Sequence, residues 1–294
     1  MTDVLTAPAH TRAQGGVALV LTGALSVQFG SAVAALLFPH AGVAGVVTLR
    51  LTIAAVVLLA VCRPRLVGYG RGDWALVGAF GVALAGMNTL FYQAIDRIPL
   101  GVAVTLEVLG PLALSVVSGR RAASWAWAGL ALAGVGLLGR TGLGRLDPTG
   151  VAFALGAAAA WAAYIALSAR VGARFARLDG LALAMAGAAV LTLPLGVAGA
   201  GATLLNPPIL ALGAAVAVLS SLLPYTLELT VLRRLPTTTF AVLMSLGPAI
   251  AALAGWLVLH QRLPRRWDEQ GQAYDATADD AAYGIFEIAG GIVA

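Results

Sequence analysis

Three ionisable residues lie inside long apolar runs: Arg50, Glu107 and Glu228. A charge at the centre of a spanning helix costs roughly 2.5–3.5 kcal/mol on insertion scales, so such residues turn towards a bundle interior. Arg50 is roughly 12 Å deep in its run at 1.5 Å per residue. For Arg50 and Glu107 two readings stand side by side. One is a substrate and proton site; the other is an ion pair that locks two helices. Glu228 lies close to Arg233 and Arg234, so snorkelling to the interface is its plainer reading.

Polar residues in the same runs fall at helical spacing. Asn88 and Tyr92 share a face, as do Ser221, Tyr225 and Glu228. Trp161, Tyr164 and Ser168 form a third stripe, and Gln28 with Ser31 a fourth. In a bilayer such faces turn inward. They line a cavity or hold helices together. Pro111, Pro224 and Pro248 sit within runs. Each removes a backbone donor and kinks or breaks its helix.

The elements that carry these residues are membrane spans. Apolar classes make up 60% of the 294 residues and charged ones only 11%. A soluble domain carries roughly 25% charged residues, so the bilayer is the fitting solvent. Nine runs suit spanning helices: 15–38, 42–62, 73–95, 101–118, 125–139, 148–169, 180–199, 208–232 and 237–259. The first is too long for the h-region of a cleaved signal peptide. All 18 basic residues are arginines, and they cluster in short loops. Eleven fall on the side that carries the N-terminus and six on the other, which predicts an N-terminus inside.

An internal repeat sets the architecture. The stretch RIPLGVAVTLEVLGPLAL begins at Arg97, and RLPTTTFAVLMSLGPAIA begins at Arg234. Pro99 matches Pro236, Gly110 matches Gly247 and Pro111 matches Pro248 at one offset. A unit of five spans is odd, so the second copy is flipped. The expected fold is an all-α integral membrane bundle of ten-helix type, built from two inverted five-helix repeats. Its parts are a cytoplasmic tail over 1–14, a first repeat over 15–139 and a connecting loop over 140–147. The second repeat covers 148–259, and an atypical segment follows over 260–294. There, 264–280 is polar and acidic, and Ala281–Ala294 is too short to span. The tenth helix is therefore atypical or truncated.

Other chemistries find little support. Cys62 is the only cysteine, so no internal disulfide or cysteine metal cluster forms. His10, His40 and His260 lie at span ends or in the tail, without paired metal ligands. With no lysine there is no P-loop. No enzyme, no cofactor and no nucleic-acid partner is expected. The partners implied are a small molecule, protons and lipid.

The sequence resembles the EamA branch of the drug/metabolite transporter superfamily, and within it the threonine/homoserine exporters. The residues that carry this are GVVTLRLT around Arg50, GMNTLFYQAI at 86–95 and PLGVAVTLEVLGPLAL at 99–114. LPYTLELTVL at 223–232 and LPTTTFAVLMSLGPAIAAL at 235–253 continue it. The resemblance covers roughly residues 15–263. It implies an exporter of small neutral amino acids, run by proton antiport in the bacterial inner membrane. A zwitterion needs a cation for its carboxylate and an anion or aromatic face for its ammonium. Arg50, Glu107, Tyr92 and Tyr225 have those chemistries. Two departures stand out: the family often has Glu where Gly247 stands, and usually Gly-Glu where His260-Gln261 stand. Two further readings stay open. One is export of another metabolite or drug; the other is a non-transporting membrane protein with an altered C-terminus.

Overall fold

The computed structural model describes residues 9–119, 146–176, 178–224, 227, 246–261, 266–267 and 273–274. The expected fifth span, the connecting loop and Ala281–Ala294 fall outside the described residues, apart from the loop's last two positions.

Helix α1 covers Ala9–Leu36, beginning inside the stretch expected to be a polar tail. Helix α2 covers Phe38–Cys62. Gly42 stands at φ 63° and ψ 162°, a bend that a side chain at this position would resist. The regular part of α2 therefore starts where the second apolar run does. Helix α3 covers Arg71–Ile95. Its start is capped by the Asp73 carboxylate, which accepts from the Gly70 N–H at 2.9 Å.

The fourth apolar run is one run but two helices, α4 over Leu100–Glu107 and α5 over Leu109–Gly119. The break has a local cause. Pro111 has no N–H to offer the Glu107 carbonyl four residues earlier. At the same place Gly110 lies against the Ala158 carbonyl of the next helix, with no room for a Cβ.

Helix α6 covers Pro148–Arg174, with Asp147 accepting from the Thr149 N–H at its start. Helix α7 covers Asp179–Ala200 and runs on into a 3₁₀ turn, Gly201–Leu205. Helix α8 covers Pro207–Ala217 and widens into a π turn, Val218–Leu222. Helix α9 covers Gly247–Leu259, the second half of the ninth apolar run. In the acidic tail, β1 (Arg266–Trp267) and β2 (Ala273–Tyr274) make a minimal antiparallel pair.

Among the described residues, four segments are long and apolar enough to cross a bilayer: α2, α3, α6, and α7 with its 3₁₀ turn. Large apolar side chains on their outer faces, such as Val56, Val82, Leu155 and Val190, are exposed. In lipid that exposure is solvation. Inside, α2 packs on α7, α3 on α6 and α7, and α1 on α8 and α9. Helix α4 packs on α6 and α9. Small residues allow the approach. Gly196 of α7 sits against the Thr48 side chain, and Thr48 Oγ1 donates to the Thr192 carbonyl at 2.8 Å.

Two helix pairs are clearly antiparallel. Asp73 at the start of α3 accepts from Arg174 at the end of α6, at 2.6 and 2.9 Å. At the opposite ends Arg97 reaches Asp147 at 3.8 Å, with its guanidinium 5.0 Å from the Phe153 ring centre. Along α4 and α9 the contacts descend. Leu100 donates its N–H to Gln261 Oε1 at 3.1 Å. Gly101 abuts Ala252, and Val104 lies near Gly247.

Candidate functional site

Arg50 is buried at 6% exposure, in the middle of α2. Its guanidinium donates three hydrogen bonds. Nε reaches Ser221 Oγ at 3.0 Å, one terminal nitrogen reaches the Tyr92 hydroxyl at 2.9 Å, and the other reaches the Ser220 carbonyl at 2.8 Å. The guanidinium carbon is 5.3 Å from the Tyr92 ring centre, within cation–π range. All three acceptors are neutral. Among the described residues no carboxylate pairs with Arg50. A guanidinium has five N–H groups, and two of them make no bond among the described residues.

The Ser220 carbonyl is available for a physical reason. In a regular helix it would accept from the N–H of residue 224, and that residue is proline. The chain widens there, with the Leu223 N–H bonded to the Val218 carbonyl. Such π turns recur at functional sites. Here the turn hands one main-chain acceptor and the Ser221 hydroxyl to a buried cation. Tyr92 is held from α3, fully buried, with its ring 5.8 Å from that of Phe38.

Glu107 closes α4 at the proline-made break and is half-buried. Arg50 lies within electrostatic reach of its carboxylate, but the two form no ion pair. Asn88 is buried one turn from Tyr92, and its amide donates to the Leu84 carbonyl of its own helix at 2.8 Å. Tyr164 stacks on Phe80 of α3 at 5.1 Å, and Ser168 bonds back to the Ile165 carbonyl. Trp161 is half-buried on the same helix. Gln28 is buried on α1 and faces α4 and α9 rather than the π turn. Tyr225 and Glu228 lie outside the described residues. The structure thus gathers Arg50, Tyr92 and Ser221. Tyr164 and Ser168 are engaged in other contacts.

A model of the EamA-like transporter family matches residues 148–267. The chain is 41% identical over 247 residues to the threonine/homoserine exporter RhtA of Salmonella typhimurium, covering 83% of each chain. It is 40% identical over 249 residues to the threonine/homoserine exporter RhtA of Escherichia coli K12, covering 84% of each. The chain belongs to the EamA-like transporter family. These relatives are transporters, not enzymes. A stretch of 26 residues is also 69% identical to part of a D-xylose dehydrogenase of Paenarthrobacter nicotinovorans, 9% of this chain and 7% of that one.

In this EamA-like chain the departures at the end of α9 keep their geometry. His260 adopts the left-handed conformation, φ 51° and ψ 32°, that glycine favours at a helix end. Gln261 supplies the oxygen that caps α4. Sequence reading missed the Ser220 carbonyl. The signal was present, since a proline four residues downstream frees a carbonyl. What the sequence could not reveal is which cation would take it.

Proposed function

We propose that this EamA-like chain is a secondary transporter that exports small neutral amino acids of the threonine and homoserine kind by proton antiport. It works in the bacterial plasma membrane, with its N-terminus cytoplasmic. The observation that carries the reading is Arg50, a buried cation held by three neutral acceptors, near Glu107 but unpaired with it. A zwitterion can bridge such a gap, its carboxylate on the free N–H groups of Arg50 and its ammonium towards Glu107. Export of threonine and homoserine by the relatives agrees with that chemistry.

Proton coupling falls to Glu107, the one carboxyl of the described site. Two inverted five-helix repeats are the matching architecture. The opposed course of α4 and α9, which belong to the two matched stretches of sequence, supports it. The pairing of α3 with α6 and of α1 with α8 supports it too, because a shift of five spans exchanges these pairs. The excess of arginine on one side supports the cytoplasmic N-terminus.

The test is efflux. Cells carrying the chain are loaded with radiolabelled threonine and compared with cells carrying Arg50→Gln at equal membrane levels. Faster, proton-gradient-dependent efflux from the first alone is expected. Equal efflux from both would sink the assignment of Arg50.

A further inference from the structure

Gln28 is 92% buried at 8% exposure, yet its Oε1 has no hydrogen-bond partner among the described residues. Buried polar atoms are nearly always paired, and an exception needs a reason. The neighbours of Gln28 on α1 explain which way it points. Ser26 and Gly30, one turn apart, face the π turn: Ser26 Oγ donates to the Leu219 carbonyl, and Gly30 lies against Ser220. Gln28, two residues from each, is on the other side of α1. Its amide meets the seam between α4 and α9. A Cβ built on Gly247 would be 4.0 Å from Gln28 Nε2 and 4.0 Å from a Val104 methyl, with nothing described any closer. Gly247 thus lies beside the nitrogen end of the amide, where a Cβ would make only ordinary van der Waals contact. Glu107 follows Val104 by three residues on α4, so both belong to one helix face.

We propose that Gln28 selects the side chain of the transported amino acid: its unpartnered Oε1, on the helix that adjoins α9 and the Val104 face of α4, accepts a hydrogen bond from the substrate's hydroxyl. This rests on the amino-acid export reading above. The chemistry is specific. An ammonium is drawn to the Glu107 carboxylate. A neutral amide oxygen on the adjoining helix suits a neutral donor separated from that ammonium by two or three carbons. Threonine and homoserine both carry one there. A site built to bond a hydroxyl rejects the analogue lacking it, because its own buried acceptor is then left unpaired.

The discriminating probe is 2-aminobutyrate, which is threonine or homoserine without the hydroxyl. Efflux of threonine, homoserine and 2-aminobutyrate is measured from loaded membrane vesicles carrying wild type, Gln28→Leu or Gln28→Met. Vesicles are matched for the amount of transporter and checked for thermal unfolding in detergent. The wild type is expected to prefer the hydroxylated substrates. Both variants should lose that preference by about tenfold or more while still moving 2-aminobutyrate. Two side chains of different shape guard against a packing defect peculiar to one. An unchanged ratio, or equal loss of all three substrates in both variants, overturns the assignment of Gln28 alone. A wild type that moves none of the three overturns the export reading, and this inference with it.

Discussion

Arg50 donates to the backbone carbonyl of Ser220 across 170 residues of sequence. The bond joins a cation from the first half of the chain to a carbonyl that a proline has freed in the second. It explains how a charge can sit at 6% exposure without a carboxylate partner among the described residues.

Arg50→Lys keeps the charge and loses the fork. An ammonium has three donors on one atom and cannot hold acceptors spread around a plane as guanidinium does. Hydrogen bonds to charged groups contribute about 1.5–3 kcal/mol each. The expected outcome is a KM for threonine raised by about tenfold or more, since tenfold is about 1.4 kcal/mol. Lower thermal stability in detergent should accompany it. Efflux kinetics at several substrate loads check the first effect, and unfolding curves the second.

Pro224→Ala restores the N–H that Ser220 lacks. The main chain then competes with Arg50 for one carbonyl, and the π turn can tighten to an α turn. Transport should fall while the helix holds or gains stability. Measuring efflux and melting temperature on the same preparation separates the two. Loss of both together would point to simple misfolding instead.

Glu107→Gln tests coupling. Since Arg50 is held by neutral acceptors, removing the Glu107 charge orphans no ion pair. The variant should reach the membrane at wild-type levels. It should lose proton-driven efflux yet still exchange labelled for unlabelled threonine. Wild-type dependence of efflux on external pH would remove Glu107 from the coupling role. Loss from the membrane would return it to a structural one.

His260→Gly should stabilise the protein by about 1 kcal/mol, because glycine enters the left-handed region without the Cβ penalty. The substitution leaves Gln261 free to keep its bond to the α4 start. Chemical or thermal unfolding in detergent reads the change. Transport activity should stay the same.

Much of this was legible in the sequence because its causes are local. Hydropathy over a window determines that the chain spans a membrane, and an ionisable residue within a window marks the interior face. A proline frees the carbonyl four residues before it, so the break after Glu107 and the widened turn at Ser220–Ser221 were encoded in contiguous residues. The matched Gly-Pro motifs are the sequence signal behind the proposed repeat. Other features depended on how helices rotate and how deeply they pack, which small residues such as Gly110 and Gly196 govern through contacts far apart in sequence. That is why only the tertiary structure decided that Arg50 takes Tyr92, Ser220 and Ser221, and makes no ion pair with Glu107. It also decided that Asn88 bonds its own helix, that Tyr164 turns to Phe80, and that Gln28 sets its amide nitrogen beside Gly247 while its oxygen has no partner among the described residues.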